Sequence, residues 1–223
     1  MDNNRERYLK IAYILSIITI VYNIAEGLVS TIFGFSYDTV ALFGFGVDSF
    51  VEVISGAGVW HMLRRMRTSD ITAIDVFERR ALRITGFAFY LLTAGLIVTA
   101  VLNIVFDTKP ETTIAGIIVS AVSIISMWFL YSYKMRVGKA LDSKPIIADA
   151  NCTKTCFYLS FILLVSSILY EVFRIGYVDL AGALGIAYFA FREGREAFEK
   201  AESGSLSCSC SSCGGSKNIT FVK

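Results

Sequence analysis

Apolar residues in this chain gather into long runs separated by short polar connections, and each run predicts a helix at the scale of a bilayer. The runs fall at about Tyr8–Phe33, Tyr37–Leu63, Arg83–Phe106, Thr113–Tyr133, Ile146–Phe173 and Val178–Phe191. A hydrocarbon core of about 30 Å takes roughly 20 helical residues to cross. Five runs meet that length, and the sixth is short. Its helix is expected to start near Ile175 and to continue beyond the membrane through Arg192–Glu202 as a polar segment. The longest connection, Arg64–Arg80, contains the start of ITAIDVFERRALRI, whose apolar positions recur at helical spacing. That spacing predicts an extension of the second or third helix into water. The first run is too long for a signal-peptide core and has no small-residue cleavage site behind it, so it is expected to remain in the mature protein. From Ser203 onward the pattern stops. SGSLSCSCSSCGGSK has no apolar periodicity and predicts a disordered tail. The chain thus divides into a six-span region, 1–202, and a Ser/Gly/Cys-rich tail, 203–223.

Composition sharpens this picture. Of the 223 residues 55% are apolar and 18% charged, where a soluble domain carries about 25% charged residues. A soluble enzyme, a secreted disulfide scaffold and a disordered chain are all excluded. The charges that do occur are segregated. Of the 21 Lys and Arg residues, 18 lie in the amino-terminal segment, the second-to-third connection, the fourth-to-fifth connection and the carboxyl-terminal segment. The other face holds only Lys109 and Arg174, and Lys154 lies within the fifth run. Basic residues favour the cytoplasmic side, so the expected fold is an all-α six-helix transmembrane bundle with both termini cytoplasmic. Trp60, Trp128, Tyr131 and Tyr133 stand near the cytoplasmic ends of their runs, where amphipathic rings anchor a helix at the interface.

Ionisable residues inside spans are costly and mark function by default. Asp48 and Glu52, in GFGVDSFVEVISG, are four residues apart and share one helical face. Cys152 and Cys156, in ADANCTKTC, repeat that spacing in the fifth span. At 1.5 Å per residue, Asp48 and Glu52 lie roughly 14 and 8 Å from the cytoplasmic face, and the cysteines roughly 11 and 17 Å. The two pairs overlap in depth on antiparallel helices. Two carboxylates and two thiolates have the number and chemistry of a tetrahedral transition-metal site, and thiolates favour softer ions such as Zn²⁺ or Cd²⁺ over Mg²⁺ or Ca²⁺. The competing readings are structural: small apolar cysteines packed in a core, and acids paired with a base such as Lys154.

With these motifs in view, the chain resembles the transmembrane part of the cation diffusion facilitator family over about Tyr8–Glu202. ALFGFGVDSFVEVISG is similar to that family's second helix, with two acids four apart after a small-residue stretch. ADANCTKTC resembles its ADxxHxxxD motif, and YVDLAGALGIAY its final helix. The resemblance implies export of divalent transition metals against protons, a homodimer, and a cation held by Asp48, Glu52, Cys152 and Cys156. Two departures stand out: Cys/Cys replaces His/Asp in the fifth helix, and the family's cytoplasmic metal-binding domain has no counterpart, its place taken by the Cys-rich tail. The expectation is therefore a minimal, divergent exporter in the cell (plasma or inner) membrane, with Zn²⁺ or Cd²⁺, or else Hg²⁺, copper or iron ions, as cargo.

Other polar residues leave alternatives open. Glu26, placed with Asn23 in the outer half of the first span, is an exit-path ligand, a proton carrier, or a carboxylate bonded to Asn23 or Ser30. Asp149 either collects cations at the cytoplasmic mouth or starts a helix. Asp179 reads as a helix cap, and His61 as interfacial packing. Lys154 faces away from both cysteines and is not a ligand. Cys208, Cys210 and Cys213 form a CxCxxC group able to wrap a soft ion in a reducing cytoplasm. No cofactor fingerprint and no nucleophile–base pair is present, so neither an enzyme nor a resident cofactor is expected, and nothing points to nucleic acid. The partners expected are metal cations, protons, lipid and a second copy of the chain. A membrane metal sensor or scaffold that binds without transporting is the competing function.

Overall fold

The structure, a computed structural model, describes residues 3–66, 76–106, 113–174 and 177–203. They form six helices: α1 (Asn3–Ser36), α2 (Val40–Met66), α3 (Val76–Phe106), α4 (Ile114–Ala140), α5 (Lys144–Phe173) and α6 (Tyr177–Ser203). Five of them, α1 to α5, contain segments long and apolar enough to cross a membrane. The sixth falls short because its apolar stretch ends at Phe191. Beyond it the helix continues unbroken through Arg192, Arg195 and Lys200, which pair with Glu196 and Glu199 one turn away. The expected polar continuation is therefore present, while α6 by composition is a weaker span than the other five. The second-to-third connection also behaves partly as predicted, since α2 runs to Met66 and α3 begins at Val76.

Tight turns set the helices in antiparallel pairs. Asp38 at φ 55° reverses the chain between α1 and α2, and Asp142 at φ 45° does so between α4 and α5. Asp tolerates this left-handed region better than most residues because its short side chain hydrogen-bonds locally. A proline in the first turn of α5 suits its fixed φ. The α1–α2 pair is a ladder of contacts: Tyr13 with Trp60, Asn23 with Glu52, Glu26 with Ser49, and Ser30 with Gly46. The α4–α5 pair repeats the scheme with Lys134 to Asp149, Ser123 to Ser160, and Gly116 to Ser167. In the α3–α6 pair, Gly86 and Gly194 approach each other's backbone and Thr93 reaches the Ala187 carbonyl.

Two acids from neighbouring helices cap the bundle at the end away from the chain termini. Asp179 Oδ2 of α6 accepts the Val40 N–H, the first of α2, at 2.9 Å. Glu171 Oε1 of α5 accepts the Thr113 N–H just before α4 at 2.7 Å. Each carboxylate accepts from an N–H at a helix N-terminus, where the N–H groups have no acceptor within the helix and lie at the positive end of the dipole. The cap reading of Asp179 is thus met, with the cap made across helices and not within α6.

Phe45 and Leu42 of α2, Leu96 and Leu92 of α3, Leu159 and Leu163 of α5, and Ile186 of α6 form the main core. Ala183, Ala187 and Ala190 bring the α6 backbone close to it. The outward surface is also apolar. Ile14, Ile17, Val21, Ile24, Leu28 and Ile32 on α1, and Ile118, Val122, Ile125 and Phe129 on α4, are all exposed at three- to four-residue spacing. Apolar stripes of that extent are not left to water. With five spanning helices they make this a multi-pass membrane protein.

Candidate cation site

Asp48 and Glu52 sit one turn apart on the face of α2 that meets α1, α5 and α6. Their placement depends on how closely α1 approaches. A Cβ on Gly46 would lie 2.6 Å from the Thr31 nitrogen, and one on Gly34 would lie 2.4 Å from the Phe43 nitrogen. Only glycine lets these two backbones meet, and the approach brings α1 side chains within bonding reach of the α2 acids.

Glu52 is held from two sides. Asn23 Nδ2 of α1 donates to Oε2 at 2.9 Å, and the Cys156 thiol of α5 donates to Oε1. Asp48 is 2% exposed, and one of its carboxylate oxygens, Oδ1, has no hydrogen-bond donor among the described residues. The charged groups that act on it are Glu52, Glu193 and Glu26, all acids. A buried carboxylate oxygen left without a donor, among acids and without a counter-charge, is strongly unfavourable. Such a group is retained where a cation, a proton or both complete it.

One basic residue faces this cluster among the described charges, Lys134 of α4, whose field reaches Glu52. Lys134 is itself committed: its ammonium lies 3.0 Å from Asp149 Oδ2 and donates to Thr153 Oγ1 at 3.0 Å, with side chains 3% and 12% exposed for Lys134 and Asp149. It leaves the acids short of positive charge.

Glu26 joins the same layer. Tyr22 Oη donates to its Oε1 at 3.0 Å and Ser49 Oγ to its Oε2 at 3.0 Å, and Ser123 of α4 is a further hydroxyl partner. The outer-half placement from helical rise differs from this: Glu26 is level with Ser49, between Asp48 and Glu52. The bonds expected to Asn23 or Ser30 are replaced by bonds to Tyr22 and Ser49, because Asn23 turns to Glu52.

The structure therefore brings together Asp48, Glu52, Cys156 and Glu26. Depth estimates set Glu52 and Cys156 at different levels, yet they touch. The estimates assume that every helix begins at the membrane face, whereas the axial offset between α2 and α5 is set by how the helices pack. The backbone of Cys152 lies in α5 one turn before Cys156; its side chain lies outside the described residues, as do Cys208, Cys210 and Cys213. Among the described residues no three His, Cys, Asp or Glu side chains converge closely enough to hold a metal ion. Asp149 is paired with Lys134. Lys154 is exposed, its ammonium 5.6 Å from the Tyr158 ring centre. His61 is half-buried at the end of α2.

Several members were not singled out from the sequence. Tyr22 stands four residues before Glu26, a spacing that was available to find it. Lys134 reads in the chain as one more basic residue of the fourth-to-fifth connection, Ser123 and Ser160 carry no charge to betray them, and Glu193 lies just past the last apolar run, where acids are ordinary. Glu193 of α6 faces the Thr155 hydroxyl of α5 and acts on both Asp48 and Glu52.

Fold and cluster define a class: a helical multi-pass membrane protein with buried acids at its centre. The chain is 30% identical over 183 residues to a protein of Methanocaldococcus jannaschii described as an uncharacterized transporter, a match covering 78% of this chain and 64% of that protein. It is 28% identical over 189 residues to transmembrane protein 163 of Xenopus laevis, covering 83% of this chain and 63% of that protein. In both cases the matched region spans a little under two thirds of the relative's length. No family model matches the chain.

Proposed function

We propose that this protein exports divalent or soft transition-metal cations from the cytoplasm by alternating access, with protons moving in the opposite direction. The observation that carries the reading is Asp48: a buried carboxylate oxygen without a donor, ringed by acids, at the meeting point of α1, α2, α5 and α6. The description of the Methanocaldococcus relative as a transporter supports the same reading. Asp48, Glu52, Cys152 and Cys156 supply the ligands in this proposal. Carboxylate and thiolate together suit Zn²⁺ and Cd²⁺. The Cys156 thiol donates to Glu52, and a metal requires both groups deprotonated, so cation and proton compete for one pair of atoms. The basic faces of the chain set the termini and the Cys-rich tail in the cytoplasm, where three thiols deliver soft ions to the mouth. The working unit is a homodimer in the plasma or inner membrane.

The test is transport into proteoliposomes loaded with a metal-sensitive dye. Zn²⁺ or Cd²⁺ is expected to enter, faster with an opposing proton gradient, and Asp48→Asn is expected to abolish uptake. Binding of these ions by purified protein without uptake in any gradient would replace the exporter with a membrane sensor or scaffold.

A further inference from the structure

We infer that Lys134 is a tethered cation: its ammonium fills an oxygen cradle on α5, made by Asp149 and Thr153, that otherwise takes a metal ion. By filling it, Lys134 limits the polar interior to the one cation held at Asp48 and Glu52. The cradle rests on geometry alone; the limit to one transported cation rests on the exporter reading.

Asp149, Thr153 and Cys156 recur at four- and three-residue spacing, so the cradle and the thiol share one face of α5. At helical rise Thr153 lies about 4.5 Å and Asp149 about 10.5 Å from Cys156, toward the start of the helix. That is the end the basic residues assign to the cytoplasm, so an ion moving along α5 from that side meets the cradle before the thiol. Lys134 reaches the cradle from α4, where it is buried in register with Met127 and Leu130.

Hydrogen accounting shows what the cradle offers. Thr153 Oγ1 donates to the Asp149 carbonyl at 3.2 Å. A hydroxyl has one hydrogen, so Thr153 presents only lone pairs to Lys134. The ammonium, which only donates, lies 3.0 Å from Thr153 Oγ1 and 3.0 Å from Asp149 Oδ2. A carboxylate and a hydroxyl oxygen thus converge as acceptors on one positive charge. Oxygen donors of this kind suit hard divalent ions such as Mn²⁺, Ca²⁺ and Mg²⁺. A buried ion pair adds little stability over an apolar pair of the same volume. What Lys134 adds is a charge that cannot leave. The same ammonium acts on Glu52, so it repels a second cation placed between the cradle and the ligands.

Electron paramagnetic resonance titration of Mn²⁺ into the purified full chain counts the ions bound, and variants at the two ends of the pair separate the outcomes. Lys134→Ala is expected to bind about one more Mn²⁺ per chain than wild type, at oxygen donors that suit this ion. Lys134→Arg keeps the charge and is expected to bind the wild-type number, as is Lys134→Ala combined with Asp149→Asn. Mn²⁺ is expected to raise the Tm of Lys134→Ala more than that of the double variant. An unchanged count in Lys134→Ala overturns the inference. Asp149→Asn alone, which tests the native chain without removing Lys134, is expected to match wild type. Loss of one Mn²⁺ there shows Asp149 to bind an external ion and also overturns it. A wild-type chain that binds no Mn²⁺, Zn²⁺ or Cd²⁺, beside a Lys134→Ala variant that gains an Asp149-dependent Mn²⁺, supports the cradle and overturns the exporter reading.

Discussion

Asp48 and Cys156 make opposite predictions about stability and function. Replacing Asp48 by Asn removes a carboxylate whose Oδ1 has no donor among the described residues, so the cation-free protein is expected to gain stability on the order of 1–3 kcal/mol, the usual scale of an unmet buried polar group. Thermal unfolding in detergent reads this as a higher Tm, alongside complete loss of transport. A lower Tm would mean that a partner of Asp48 exists in the intact protein. Cys156 is held by Glu52, and with Cys152 it is expected to set the choice of metal. The pair of changes Cys152→His and Cys156→Asp exchanges soft ligands for harder ones. The ratio of Cd²⁺ to Zn²⁺ affinity is expected to fall at least tenfold, measured by competition on purified protein. An unchanged ranking would return both cysteines to a packing role.

Helices in this protein are completed by their neighbours. Asp179 caps α2 from α6, and Glu171 caps α4 from α5. Loss of a capping side chain typically costs about 1 kcal/mol, and Asp179→Ala also leaves the buried Val40 N–H unpaired. The expected result is a Tm fall with cation affinity unchanged, since Asp179 caps Val40, about 18 Å along α2 from Glu52 at helical rise. The buried Lys134–Asp149 pair joins α4 to α5 in a different way. Lys134→Met alone strands a buried carboxylate and is expected to destabilise by about 3–5 kcal/mol, while Lys134→Met with Asp149→Leu recovers most of that loss. Denaturation of the single and double variants checks the coupling. Equal stability of the two would show that water, and not Lys134, satisfies Asp149.

At the scale of the molecule, three antiparallel pairs share one polar layer: α1–α2 supplies the acids, α4–α5 the thiol and hydroxyls, and α6 adds Glu193 from the third pair. The asymmetry of basic residues predicts a direction for this assembly. A cysteine introduced at Thr108 is expected to react with an impermeant label on intact cells, while Cys208 is spared. The reverse pattern would invert the bundle and convert the proposed exporter into an importer.

What the chain determines locally was readable before any folding. Apolar run length gives helix number to within the weak sixth span, because crossing a bilayer demands length and composition together. The Asp48–Glu52 spacing is a property of one helix, so their common face needs no tertiary information. Asp179 was likewise legible as a cap. Partner choice was not. Asn23 bonds Glu52 and leaves Glu26 to Tyr22, Ser49 and Ser123, and Glu52 meets Cys156 at a depth that counting residues misplaces. These outcomes depend on the axial offset between helices, which close glycine contacts set at Gly34 and Gly46 and which no single helix encodes. Lys134 reads in the chain as one more cytoplasmic base; only the packing of α4 on α5 buries it against Asp149. A span's own residues decide that it crosses the membrane, because lipid interacts with each helix separately. Tertiary structure decides which polar groups meet, because in a core without water each must find its partner on another helix.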